Sequence, residues 1–393
     1  MVVAALLLLQ AGSGAAPGHG PAAALRTHAS FDAATFDPLV LDGIRRGAYP
    51  GGALVIGRRD TILFSKGYGR LTWSASSPAV DPDSTLYDLA SLTKAVATTT
   101  SLMVLVERGR VRLDAPVAAY VPRFGGAGTA GITVRQLLTH TSGLRADLPD
   151  GELKAIPDSA ALMRRVLSEA PRVPPGSRVI YSDLNAILLG EVIGRASGEP
   201  LDRFAARQLF APLDLHETMF RPPARLRGRI APTGVWRGHP VAGVVNDASA
   251  FKLGGVSGNA GLFSTAADVA RFAQLLLREG TLPDGRRLLK AETVRLFTTK
   301  AVDFGRESEA RTLGWQALPT GEEVSSAGTL FGSRSYGHTG WTGTSLWIDP
   351  DRDLFVVLLT NRAYAPRGRR SFTVLKEVRG RVADAAARAS DAP

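Results

Sequence analysis

Apolar positions cluster in short runs at the two ends of the chain and recur with helical spacing through its middle. Phe31 to Arg46 shows helical periodicity. Ala53 to Gly57 and Ile62 to Gly67 are β-prone runs joined by Arg58-Arg59-Asp60, a hairpin signal. Near the other end, Thr344 to Ile348 and Leu354 to Thr360 read as strands around the turn Asp349-Pro-Asp-Arg-Asp353. A last helix is expected over Ser371 to Ala387. From Ser91 to Gly280 helical patterns dominate, among them Val134 to Leu138, Ser159 to Glu169, Leu184 to Ala196 and Ala266 to Arg278. The last of these opens on Thr265-Ala-Ala-Asp268, a capping-box-like start. Strands at both ends with helices between them predict one α/β (α+β) fold: an antiparallel sheet built from both termini, flanked by helices, with a mainly helical insertion. The expected organisation is a sheet subdomain from residues 31–90 plus 310–387 and a helical one from 91–309. An active site is expected at the seam between them.

Composition narrows the function classes. The 393 residues are 45% apolar, and mean hydropathy is near zero, as in a globular protein. The formal charge of +11 comes almost wholly from arginine, since lysine occurs seven times. Neither Arg225-Arg227-Arg229 nor Arg367-Arg369-Arg370 carries interleaved aromatics, so both read as solvated loops and no nucleic-acid partner is expected. Without cysteine there are no disulfides, thiolate metal sites, cysteine nucleophiles or cysteine-linked lipid anchors. The six histidines show no ligand spacing, so no metal and no cofactor is expected. Val2 to Leu9 is a short apolar run followed by small residues near Ala15 and Ala16. It reads as an export signal lacking its basic start, followed by a linker to residue 30. No stretch is long and apolar enough for a stable membrane span.

The chemistry begins at Ser91-Leu-Thr-Lys94, which sets a hydroxyl and an amine one helical turn apart. The following helix, Leu92 to Arg108, is apolar on most faces and therefore buried. Burial is expected to lower the lysine pKa and make it a general base. Seven lysines and 26 serines give about half a chance match to Ser-x-x-Lys, so context must decide. A second copy, Ser249-Ala-Phe-Lys252, lies in the Gly-rich stretch Asn246 to Gly258, where Lys252 is expected to face water. Acyl transfer also needs a proton donor for the leaving group and N–H donors for the oxyanion. Tyr181-Ser-Asp183, in a loop before a helix, offers a phenol for the first role. His338-Thr339-Gly340, before a glycine-flanked strand, offers close backbone approach for the second. His140 is expected to be a satisfied structural histidine at a helix end. No Gly-x-Ser-x-Gly elbow, P-loop or dinucleotide fingerprint occurs.

Taken in order, Ser-x-x-Lys, Tyr-x-Asp and His-Thr-Gly resemble the serine β-lactamase and penicillin-binding superfamily, on its class C side. That group includes D-alanyl-D-alanine carboxypeptidases, D-aminopeptidases and carboxylesterases. The resemblance spans roughly residues 31 to 385 and takes in Leu113-Asp-Ala-Pro-Val117, Leu137-Leu-Thr-His-Thr-Ser-Gly-Leu144 and Gly261-Leu-Phe-Ser-Thr265. It implies a β-lactamase/transpeptidase-like fold, with Ser91 as nucleophile, Lys94 as its base partner and Tyr181 as proton relay. It further implies an oxyanion hole from the N–H groups of Ser91 and Trp341, and substrate contacts from His338 and Thr339. Two positions depart from the family. Asp183 stands where Asn is usual, and an ionised carboxylate accepts hydrogen bonds but donates none; Asn185 lies nearby. His338 stands where the β-lactamases carry Lys, so a permanent cation is missing there. Both departures argue against efficient antibiotic turnover. The expected function is a serine hydrolase acting through an acyl-enzyme on a small ester, or on an amide of D-alanyl-peptide or β-lactam type. A carboxylesterase with little β-lactam turnover and a penicillin-binding sensor that hardly deacylates are the alternatives. The expected partner is a small-molecule or peptidoglycan-derived substrate.

Overall fold

The computed structural model describes residues 31–126, 128–305, 310–319, 325–366 and 372–391. The expected export signal and linker lie outside them.

A six-stranded antiparallel sheet forms the centre, in the order Ile62–Gly69, Gly51–Gly57, Leu354–Thr360, Thr344–Asp349, Tyr336–Thr339, Gln316–Ala317. The two terminal hairpins meet through Gly51–Gly57 and Leu354–Thr360, with Ala53 opposite Leu359 and Val55 opposite Val357. Side chains alternate across a strand, so consecutive residues serve opposite faces. Leu54, Ile56, Val356 and Leu358 pack with Phe36, Leu375, Val378 and Val382 of the helices Ala33–Arg45 and Phe372–Asp391. Ala53, Val55, Val357 and Leu359 pack the other way, with Phe272 and Leu276 of Ala266–Leu277 and the apolar helices of residues 94–277. Both faces are covered, which is why the strands read as continuous apolar runs.

Two local features differ from the sequence pattern. The helix after Ser91 is not uniform: Lys94–Thr99 winds as a π-helix before Thr100–Glu107 continues as α. Such π segments are rare and cluster at functional sites; here the Thr100 hydroxyl donates to the Ala95 carbonyl at 3.0 Å. A second, three-stranded sheet also forms, from Tyr87–Asp88, Leu262–Ser264 and Met219–Phe220. It fastens the chain just before Ser91 to the helical part of the molecule. Among the described residues, no helix is long and apolar enough to cross a membrane.

Candidate active site

Ser91 sits at the start of its helix, after a strained turn. Ala90 adopts φ +47°, a left-handed conformation that costs a non-glycine residue on the order of 1–2 kcal/mol. The turn persists because its surroundings hold it. The Asp88 carboxylate accepts the Ala90 N–H at 2.9 Å, and Leu89 N–H donates to the Leu262 carbonyl. Lys94 N–H closes the first turn onto Ser91 O at 3.0 Å. The i, i+3 spacing then brings Lys94 Nζ to 2.9 Å from Ser91 Oγ.

Lys94 Nζ has two further oxygen neighbours: it donates to the Asn259 carbonyl at 3.0 Å and forms an ion pair with Asp183 Oδ1 at 2.7 Å. This corrects the expectation of a lowered lysine pKa. Burial does push the amine towards neutrality, but Asp183 and Tyr181 outweigh it and hold Lys94 above its ordinary value. At rest Lys94 is a cation that donates to Ser91.

Asp183 reaches this point as the first residue of the helix Asp183–Ser197, where the backbone dipole favours an anion. Ser182 caps that helix through Asn185 N–H. Tyr181 lies in the segment ahead of it, anchored by Ile180 N–H to His140 O at 2.8 Å and Ser182 N–H to His140 Nδ1 at 3.1 Å. Its hydroxyl is buried and makes no well-aligned hydrogen bond to a described residue, although Lys94 and Ser91 lie close enough to act on it electrostatically. Burial dominates and raises the phenol pKa, so it carries its proton at neutral pH. The ring is boxed by Lys94 Nζ at 5.0 Å, Arg311 Cζ at 5.4 Å, His140 at 4.7 Å and His338 at 6.0 Å between centroids.

The two histidines are both neutral, in opposite tautomers. His140 Nδ1 accepts from Ser182 N–H and faces the Asn185 amide at 3.2 Å, so its proton is on Nε2. Burial, then the charges of Arg311 and Lys94, keep it well below the usual imidazole range. His338 Nδ1 donates to Thr339 O at 2.9 Å, because a carbonyl only accepts. Its Nε2 is therefore a bare lone pair, buried and without a partner among the described residues. Burial, then Lys94 and Arg311, push its pKa down to about 3. His338 thus presents an acceptor rather than a cation.

Gly340 and Trp341 follow at the end of the strand Tyr336–Thr339. Their turn is fastened to the turn before Ser91: Thr342 Oγ1 donates to Asp88 O at 2.7 Å and Thr344 Oγ1 to Leu89 O at 2.9 Å. A Cβ on residue 340 would stand 2.4 Å from Leu89 O and 2.2 Å from Thr344 Oγ1, so only glycine fits. Neither the Ser91 nor the Trp341 N–H donates to another described residue. The Trp341 ring is 60% exposed and lies against Phe372, while Arg362 donates to Trp341 O at 2.9 Å.

The structure therefore gathers Ser91, Tyr181 and Asp183 around the Lys94 ammonium, with His338 beside Tyr181 and Gly340 against the turn before Ser91. The lysine of the second Ser-x-x-Lys copy is engaged elsewhere. Ser249 is buried, and Lys252 is half-buried and donates to the carbonyls of Leu153 and Ile156. Asn185 is engaged by Ser142, whose hydroxyl donates to it at 2.6 Å. Arg311 and the Asn259 carbonyl were not anticipated; neither belongs to a short motif, and a main-chain carbonyl leaves no trace in residue identity. Among the described residues, no group of three or more His, Asp or Glu side chains is placed to hold a metal ion.

Comparison with known proteins gives the family and the fold. The family model Beta-lactamase matches residues 36–379. A protein of Escherichia coli strain K12 named "Putative D-alanyl-D-alanine carboxypeptidase" is 34% identical over 353 residues, covering 81% of this chain and 80% of its own. Among solved structures, EstCE1, described as a hydrolase with promiscuous acyltransferase activity, aligns with TM-score 0.72 at 22% identity, over 90% of this chain and 98% of its own. A class C β-lactamase from Rhodobacter sphaeroides aligns with TM-score 0.69 at 22% identity, over 89% and 99%.

Proposed function

The chain belongs to the β-lactamase family of serine hydrolases, and on that premise we propose that Ser91 is its nucleophile and that it hydrolyses a D-alanyl-type ester or amide through an acyl-enzyme. The observation that carries this reading is the 2.9 Å contact between Ser91 Oγ and Lys94 Nζ beside Tyr181. The relative named for a carboxypeptidase supports a peptidoglycan-derived substrate. Cell-wall peptides lie outside the cytoplasm, which suits the export signal read from residues 2–16.

Protons move as follows in this reading. Lys94 passes one to Asp183 across 2.7 Å, converting a charged pair into a neutral one. Exclusion of water by the substrate favours that step, since burial already pulls Lys94 towards the amine. The freed lone pair takes the Ser91 proton as Oγ attacks the carbonyl. The N–H groups of Ser91 and Trp341 receive the oxyanion, and neutral Tyr181 protonates the leaving group. Deacylation reverses these roles with water. His338 accepts a hydrogen bond from substrate, and Thr339 supplies a hydroxyl.

A second reading follows from Asp183. An ammonium held this firmly slows the base step, so the protein acylates and hardly deacylates. Pre-steady-state kinetics with p-nitrophenyl acetate and a D-alanyl-D-alanine peptide separates the two. Sustained turnover, reduced on the order of 10⁴-fold or more in Ser91→Ala, supports hydrolysis. A burst without turnover supports the second reading, and turnover undiminished in Ser91→Ala removes both.

A further inference from the structure

Asp88 is buried and lies three residues before the nucleophile, yet no step above uses it. Its two carboxylate oxygens bind different partners. Oδ1 accepts the N–H of Ala90, in the strained turn, at 2.9 Å; Oδ2 accepts the N–H of Asn246 at 2.7 Å. The loop opening at Asn246 leads to the lysine. Asp247 Oδ1 accepts the Asn259 amide at 3.1 Å, and the Asn259 carbonyl accepts Lys94 Nζ at 3.0 Å. The carbonyl of Asp88 itself takes the Thr342 hydroxyl at 2.7 Å, next to Trp341. Asp88 therefore binds the Ala90 turn, the start of the Asn246 loop and the Thr342 hydroxyl directly, and reaches the Asn259 carbonyl on Lys94 through the neighbouring Asp247.

We propose that Asp88 is the positioning residue that keeps the nucleophile turn, the loop holding Lys94 and the oxyanion turn in register. This rests on the assignment of Ser91 as nucleophile. Both oxygens must accept at once, so the ionised carboxylate is the competent form. A neutral acid, or an amide, turns one oxygen position into a donor that faces an N–H. Burial, with a smaller push from the neighbouring Asp247, raises the Asp88 pKa to about 6 against the two N–H bonds that oppose it. Asp247 is the titratable side chain that acts on it. The residue across the strand pair is Phe263 and the one from the oxyanion turn is Thr342, both uncharged. Acidification through pH 6 therefore loosens the turn that carries Ser91 while the rest of the fold stays intact.

Asp88→Asn mimics the protonated state at every pH. The test is the rate at which a fluorophosphonate probe labels Ser91, followed from pH 5 to 9 in wild type, Asp88→Asn and Thr342→Val, with folding checked by circular dichroism. Labelling of Ser91 in wild type secures the underlying assignment; without it, that assignment fails and not this one. Wild type is expected to lose at least tenfold in rate between pH 8 and pH 5. Asp88→Asn should show the low rate throughout, with no step near pH 6. Thr342→Val keeps the carboxylate, so it should label several-fold more slowly yet retain the step. A wild-type rate at pH 8 in Asp88→Asn, or the same acid step in that variant, overturns the proposal. If Asp88→Asn does not fold, a wild-type rate in Thr342→Val or a flat wild-type profile overturns it.

Discussion

Lys94 and Asp183 meet at 2.7 Å with only 4% of the lysine side chain exposed, an ion pair one helical turn from Ser91. An Asn at this position would remove the largest of the influences that oppose burial at the amine, leaving Tyr181. In the proposed mechanism the proton that Lys94 loses passes to Asp183 inside the site, and none need be released to solvent. Asp183→Asn abolishes that receiver. The variant's kcat/KM should gain a limb that rises with pH as Lys94 sheds its proton to water, where wild type is flat from pH 7 to 9. A profile of wild-type height and shape would contradict the pairing as a functional device. The pair also stabilises the fold. Because the folded lysine pKa is raised, this contribution is complete below the unfolded value of about 10.5 and fades only as pH climbs through the higher folded one. Loss of Asp183 should therefore cost up to roughly 3–5 kcal/mol of stability at pH 6, where the unpaired ammonium stays buried, and less towards pH 9 as Lys94 sheds its proton.

His338 has the opposite sign. Its folded pKa of about 3 lies below the unfolded value of 6.5, so the unfolded chain binds a proton there that the folded chain refuses. The stability linked to this ring is complete above pH 6.5 and is lost progressively as pH falls towards 3. Thermal melts of His338→Gln should show a shallower decline than wild type from pH 6.5 to 4. Equal slopes would mean the ring is not held neutral by its surroundings.

The same surroundings oppose a lysine at 338. Lys94 and Arg311 already depress the histidine, and a third cation would meet both. His338→Lys should lower Tm by several degrees and give no gain in cephalosporin hydrolysis. Increased kcat/KM with nitrocefin would show that the site tolerates the charge.

In the proposed mechanism Gly340 bears on the oxyanion. A methyl group there would collide with Leu89 O and Thr344 Oγ1, pushing the Trp341 N–H away from Ser91. Gly340→Ala should lower kcat by about 10²–10³-fold, the usual effect of losing one oxyanion donor, with a smaller change in KM. Near-normal kcat in a folded variant would place the oxyanion contact elsewhere.

Trp341 offers an exposed ring beside that donor, backed by Arg362 at 5.0 Å and Phe372 at 4.7 Å. Trp341→Ala removes the apolar surface and keeps the N–H. Its KM should rise more for hexanoate and octanoate esters than for acetate, by about 0.8 kcal/mol, or fourfold, for each methylene that loses burial. A uniform shift across the chain-length series would show that the ring does not contact the acyl group.

Much of the architecture could be read before the coordinates, for identifiable reasons. The strands Gly51–Gly57 and Leu354–Thr360 are apolar on both faces because helices cover both, and their turns carry Asp, Pro and Arg in recognisable order. The small sheet through Tyr87–Asp88 escaped because strands of two or three residues have no period to detect. Ser91, Lys94 and Tyr181 stood out through spacing and order. The charge state of Lys94 did not, because burial could be inferred from the helix pattern while Asp183, 89 positions later, could be placed only in three dimensions. Lys252 misled for the same reason: its partners are main-chain carbonyls of Leu153 and Ile156. Asp88 belongs to no motif singled out in the sequence, and only folding brings two N–H groups onto its carboxylate.

Intact-protein mass spectrometry after mixing with benzylpenicillin or p-nitrophenyl acetate tests the account most directly, followed by peptide mapping of the product. It should find one acyl group per chain, carried by the peptide containing Ser91 and absent from Ser91→Ala. An adduct on any other residue, or hydrolysis without any adduct at Ser91 under rapid quench, would contradict it.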